Sequence, residues 1–169
     1  MTTRGCRART LVVVALAAML AAAPVGAARF VLVVGDDPGE GFNDPTPVAR
    51  VLGNTATTLG GQRTRVFEAV AWRLGTMIAS PAEIRVEMAW DSLDCEPTEG
   101  TLAQAGPRFV YRDFPGAGRA GTWFAAALAD AMAGANLGSA GEVDIGVTFN
   151  SDVGTASCLP SRRWDYRIG

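Results

Sequence analysis

Five oxygen-bearing side chains crowd one glycine-rich stretch: Asp36, Asp37, Glu40, Asn43 and Asp44. Calcium takes roughly six to eight oxygens in flexible geometry, so closely spaced carboxylates on a chain that can turn are what it requires. The spacing departs from the EF-hand pattern, and a solvated acidic loop is the favoured of the two readings. A second chemistry needs two carboxylates roughly 5–10 Å apart across a cleft, as in glycoside hydrolysis. Asp91, Asp94, Asp113 and Asp144 stand at or near strand ends, with no sequence context that singles out a pair. A third group, Ser151, Asp152 and Ser157 near Cys158, holds hydroxyls but no base to activate them. Turn chemistry after a strand accounts for those residues better.

The missing residue types exclude more than the present ones suggest. The chain has no histidine, and all 15 basic side chains are arginine. Without an imidazole there is no Ser-His or Cys-His nucleophile pair and no HExxH zinc helix. Without lysine there is no Schiff base and no phosphate-loop lysine. No residue is therefore assigned as catalytic, cofactor-binding or metal-ligating. Trp90, Phe109, Tyr111, Trp123, Phe149 and Trp164 could form a stacking platform for a sugar or peptide. Most fall on the inward phase of a strand or helix, which favours a core role. Trp164 and Tyr166, in the polar tail, are the least committed.

Residues 1–28 have the plan of a secretory signal peptide. Arg4, Arg7 and Arg9 precede an apolar stretch over 11–23, and the small residues Val25-Gly26-Ala27 or Gly26-Ala27-Ala28 supply a cleavage site. Pro24 interrupts the stretch before it reaches the ~20 residues a membrane span needs. Export to the extracellular space or periplasm is expected, with one globular domain over 29–169. Removing the three leading arginines leaves twelve against 17 acids, a charge of about −5. That sign argues against nucleic-acid partners and against an anionic membrane surface. Cys6 leaves with the leader, so Cys95 and Cys158 remain, and in an oxidising compartment they are expected to form a disulfide. The alternative, a reactive thiol, has no His or Lys nearby in sequence to activate it.

Hydropathy then supplies the elements. Residues 29–34 are a β-branched run that predicts a first strand. The acidic loop follows, then a helix over 61–80 with Val66, Val70, Leu74, Met77 and Ile78 on its inward face. Thr57 or Thr58 can cap its start, and Pro81 stops it. Residues 83–90 alternate as a half-buried strand, and 108–114 as another. A second helix is predicted over 122–135 with Trp123, Ala127, Leu128 and Ala131 inward. The last strand covers 142–149 with Val143, Ile145, Val147 and Phe149 inward. Interleaved strands and helices predict an α/β or α+β fold, a mixed sheet of about four strands with two main helices.

Several ordered blocks carry a resemblance: FNDPTPV (42–48), GNTATTLGGQRTRVFEA (53–69), RDFPGAGRAGTWFAAALADAMAG (112–134), DIGVTFNS (144–151), CLP (158–160) and WDY (164–166). Together they resemble the N-terminal region of bacterial secreted, protease-associated (PA) domain-containing zinc metallopeptidases. The resemblance implies the N-terminal half of a zincin-like domain, whose strands shape a substrate cleft and whose edge strand pairs with peptide. In that family the zinc helix follows this region, so zinc is expected only in full-length members and none in this chain. It also implies exposed apolar positions meant for a C-terminal catalytic part, which with a peptide ligand is the partner to expect. The reading is a secreted, non-catalytic domain. The alternative is an extracellular binding or adhesion module working through exposed aromatics or the calcium loop.

Overall fold

The computed structural model describes residues 26–169. The expected leader, with Cys6, lies almost wholly outside the described residues. Six strands and two helices follow in the order β1 (Phe30–Val34), α1 (Leu59–Met77), β2 (Ile84–Asp91), β3 (Ala103–Pro107), β4 (Val110–Tyr111), β5 (Phe124–Ala125), α2 (Ala126–Ala133) and β6 (Ile145–Asn150). The main sheet has the order β1-β2-β6-β3, with β4 and β5 forming a separate two-stranded ribbon. β1 and β6 both run parallel to β2, and β3 is antiparallel to β6. The mixed α/β fold with a four-stranded sheet and two helices is thus present.

The alternation of β2 sets the core. Ile84, Val86 and Met88 are buried, while Arg85, Glu87 and Ala89 occupy the other, half-exposed face. Register places Phe30 beside Ile84, Leu32 beside Val86, and Val147 beside Met88, so one sheet face is continuously apolar. Phe67 of α1 and Ala127 of α2 pack on that face. Burying a side chain such as Met88 contributes about 1.5–3 kcal/mol. The opposite face carries the Arg108–Glu87 ion pair and stays open to solvent.

Helix α1 begins where expected, with the Thr58 hydroxyl accepting the Gly61 N–H at 3.2 Å. Its seating differs from the periodicity reading. Its buried residues are Ala71 and Gly75, with Phe67 alongside on the sheet, and Gly60 and Gln62, which pack on the preceding loops, whereas Val70, Leu74, Met77 and Ile78 are exposed. A close helix–sheet approach explains the exchange. A Cβ at Gly75 would lie 2.6 Å from the Ala28 carbonyl oxygen, so small residues face the sheet and the larger apolar stripe turns aside. Hydropathy periodicity weights large side chains, and this helix packs with its small ones.

Two further expectations are corrected. The strand expected over 108–114 shrinks to Val110–Tyr111, paired only with Phe124–Ala125. The strand that enters the main sheet here is Ala103–Pro107, whose Ala-Gln-Ala-Gly-Pro sequence lacks β-formers and is held by its ladder to β6. The second helix starts four residues later than expected because Phe124 and Ala125 are taken by the ribbon, and Trp123 and Leu128 are exposed where inward positions were expected. Gly134, left-handed at φ 73°, ends the helix.

Ala28 is buried and its N–H donates to the Gly75 and Ile78 carbonyls at 3.1 and 2.8 Å. Cys95 and Cys158 form the disulfide, with their Cα atoms 5.2 Å apart and a sequence separation of 63.

Candidate functional site

The parallel strands β1, β2 and β6 end on the same edge of the sheet, and open α/β sheets bind ligands beyond such ends. A polar cleft of about 530 Å³ lies there, bounded by Asp36, Asp37, Glu40, Asp44, Arg63, Trp90, Asp91 and Ser151. The acidic loop leaves β1 directly into it, and a single 3-10 turn, Gly41–Asn43, folds it back.

Much of the loop's oxygen chemistry is already engaged. The Asp36 carboxylate accepts the Phe42 N–H at 2.6 Å and the Trp90 N–H at 2.7 Å, tying loop to strand. The Asn43 amide donates to the Asp36 and Asp37 carbonyls. Asp44 accepts from the Thr46 N–H and lies 3.6 Å from Arg63. The bond with Thr46, with Arg63 helping, holds its carboxyl below the usual carboxylate range against the opposing effect of burial. Asp37, Glu40 and Asp91 thus form an acidic rim over a floor of Arg63 and Trp90. Among the described residues no group of three or more His, Cys, Asp or Glu side chains converges as a metal site.

Arg63 is mostly buried and serves the floor. Its guanidinium lies 4.2 Å from the centroid of the Trp90 ring and donates to the Gly41 carbonyl. Under it Phe42, Phe67, Trp90, Phe149 and Trp164 pack mainly edge to face, with centroids 5.2–6.3 Å apart, and Tyr166 closes the group against Trp90. Trp90 and Phe149 therefore take the core role expected of them, and the less committed tail residues Trp164 and Tyr166 join it. Phe109 and Trp123 do not: both rings are exposed, Trp123 beneath the Arg112 guanidinium at 4.8 Å. Tyr111 is half-buried and donates to Glu142 at 2.6 Å. That bond, with burial, pushes its phenol up to about 12.

The dispersed carboxylates are not brought together. Asp91 pairs in register with Asn150 while Ile145 pairs with Val86, so Asp144 sits at the other end of the ladder from Asp91. Six residue steps at ~3.3 Å put the two well beyond the span of a glycosidase pair. Asp94 lines a different depression beside Cys95, and Asp113 accepts the Gly121 N–H at 2.6 Å. Ser151, Asp152 and Ser157 form a turn: the Asp152 N–H donates to the Asn150 side chain at 2.9 Å, and the Ser157 hydroxyl is bonded to Thr155.

Sequence reasoning missed the buried polar side chains. The Asn150 side-chain amide donates to the Leu93 and Thr101 carbonyls, and the Asn150 backbone carbonyl accepts the Trp164 indole N–H at 3.0 Å. Asn54 donates to the Gln62 and Tyr166 carbonyls, both at 2.9 Å. Asp130, 1% exposed on α2, and Asp144, 3% exposed, are neighbours in the core. Burial, more than the Asp130 charge, raises the Asp144 carboxyl against the opposing hydrogen bond from the Arg85 N–H. One signal was available: Asp130 is the one charged residue in the Ala-Ala-Leu-Ala-Asp-Ala-Met-Ala helix. Comparison of the chain with protein-family models, with curated proteins and with solved structures finds no match.

Proposed function

We propose that the chain is an exported, non-catalytic domain that works by docking, similar to the N-terminal region of secreted PA-domain zinc metallopeptidases. On this reading it supplies scaffold and cleft-shaping strands to a catalytic part that carries the zinc helix. The observation that carries it is the apolar flank of α1, exposed among the described residues, where Val70, Leu74 and Met77 follow one another at helical spacing and Met77 is 79% exposed. Contiguous apolar surface of this kind marks an interaction site on a soluble protein. The absence of histidine and lysine from the whole sequence supports the non-catalytic half of the reading.

The test is to assay the purified protein for casein hydrolysis with added zinc and for binding of an apolar-surface dye. No hydrolysis, with dye binding reduced in Val70→Glu/Met77→Glu, is the expected result. Zinc-dependent hydrolysis overturns the non-catalytic assignment, and unchanged dye binding in the double variant removes the flank as the docking surface. A second reading, a stand-alone binding module, is favoured by the acidic rim of Asp37, Glu40 and Asp91 at the strand ends. Calorimetry with millimolar calcium distinguishes it: heat and a raised melting temperature support that module, and silence removes it.

A further inference from the structure

Strand β1 is an edge strand, and among the described residues its outer side pairs with nothing. The Arg29 carbonyl accepts the Ile84 N–H, and the Gly35 N–H donates to the Met88 carbonyl. Odd-numbered positions therefore bond inward to β2, and by the alternation of a ladder Phe30, Leu32 and Val34 direct their N–H and C=O groups to the open side. Nothing in Phe-Val-Leu-Val-Val blunts that edge. The opposite edge, β3, is short of apolar side chains and carries Gly106 and Pro107. An unprotected apolar edge is a template for another strand. Beside it a cavity of about 540 Å³ is lined by Ala28, Phe30, Leu32, Ala71 and Trp72, with Trp72 itself 72% exposed.

We propose that β1 pairs antiparallel with β1 of a second copy of this chain, joining two four-stranded sheets across a two-fold axis at Leu32. The charges flanking the strand select that partner and direction. Arg29 stands at its start with an exposed guanidinium, held by Glu83, and Asp36 and Asp37 follow its end. Asp36 is engaged with backbone N–H groups, while Asp37 is exposed on the cleft rim. With Leu32 opposite Leu32, Phe30 faces Val34 and Arg29 faces Gly35, so Arg29 of each copy lies diagonal to Asp37 of the other. A parallel pairing would set Arg29 on Arg29 and Asp37 on Asp37. The antiparallel pair forms about six backbone hydrogen bonds, two for each of three outward-facing pairs. It also brings the Trp72 rings toward the cavity mouths, where they lose exposed apolar area. This interface uses the flank of α1 away from Val70, Leu74 and Met77, and does not rest on the functional reading above.

Sedimentation equilibrium of the purified protein, with amide exchange at low and high concentration, tests it. The expected result is a monomer–dimer equilibrium in which the Phe30, Leu32 and Val34 amides gain protection with concentration, while those of Val31 and Val33 are protected throughout. Asp37→Arg places like charges at both symmetric ends and should weaken the dimer about tenfold or more. Arg29→Asp/Asp37→Arg should restore it, a rescue that a merely misfolded variant cannot give. A monomer at all concentrations overturns the proposal. So does a dimer indifferent to Asp37→Arg, or protection of the three outward amides that does not depend on concentration.

Discussion

The buried pair Asp130–Asp144 offers a perturbation whose sign and size follow from the geometry. One Asp130 oxygen accepts the Leu137 N–H at 2.9 Å, and the other, Oδ2, is buried with no donor among the described residues. Asp144 bonds the Arg85 N–H at 2.7 Å and, when protonated, can donate to Asp130. The charged groups around the pair are Arg85 on β2, Glu142 with Tyr111 beside it, and the two aspartates themselves. Because the folded protein raises the Asp144 pKa, the native state keeps a proton that the unfolded chain has released. Stability is then greatest below the unfolded value of about 3.9 and falls as pH rises through the raised native value. Asp144→Asn removes that loss. Its amide oxygen keeps the Arg85 bond, and its NH2 donates to Asp130 at every pH. Satisfying a buried acceptor is worth about 1–3 kcal/mol. The variant should match the wild type near pH 4 and exceed it by that amount at pH 8, or roughly 2–4 °C in melting temperature per kcal/mol. Urea melts at four pH values measure both curves. Parallel curves, with the wild-type slope retained in the variant, would refute the account of a proton held on Asp144.

Two further outcomes are expected. Gly53 is left-handed at φ 71°, and a Cβ there would overlap the Ile168 carbonyl, whose residue also donates its N–H to the Leu52 carbonyl at 2.9 Å. Gly53→Ala should therefore release the tail and cost about 2 kcal/mol or more; brief trypsin digestion should cut faster at Arg162, Arg163 and Arg167, and an unchanged cleavage rate would contradict it. Replacing both Cys95 and Cys158 by Ser opens a loop of 63 residues, for which loop-closure entropy predicts a loss of about 4 kcal/mol, read as a lower denaturation midpoint.

Where the sequence was legible, local signals and tertiary demands agreed. Residues 84–91 alternate cleanly, and the burial of Ile84, Val86 and Met88 follows that alternation. The Thr58 cap and the Cys95–Cys158 bridge depend on residue type and pairing by elimination, and both are present. Where it was not legible, a partner distant in sequence decided. Ala103–Pro107 has no strand propensity of its own and is a strand because β6 offers it a ladder. The large apolar stripe of α1 reads as core by periodicity, yet contact between Gly75 and the Ala28 carbonyl draws the small-residue stripe inward. In the candidate site, the sequence marked the acidic loop but gave no hint that Asp36 would be turned onto the N–H groups of Phe42 and Trp90.

By itself the sequence determined which chemistries are excluded, since a chain without histidine or lysine lacks the side chains those mechanisms use. It also determined the alternating strands, because a period of two is written in neighbouring residues. Only the tertiary structure decided which carboxylates meet. Asp91 closes β2 and Asp144 precedes its neighbour β6, and yet they stand at opposite ends of the ladder, while Asp130 and Asp144 come together in the core. Register and helix seating are settled by packing across the whole sheet, and no local stretch of sequence carries that information.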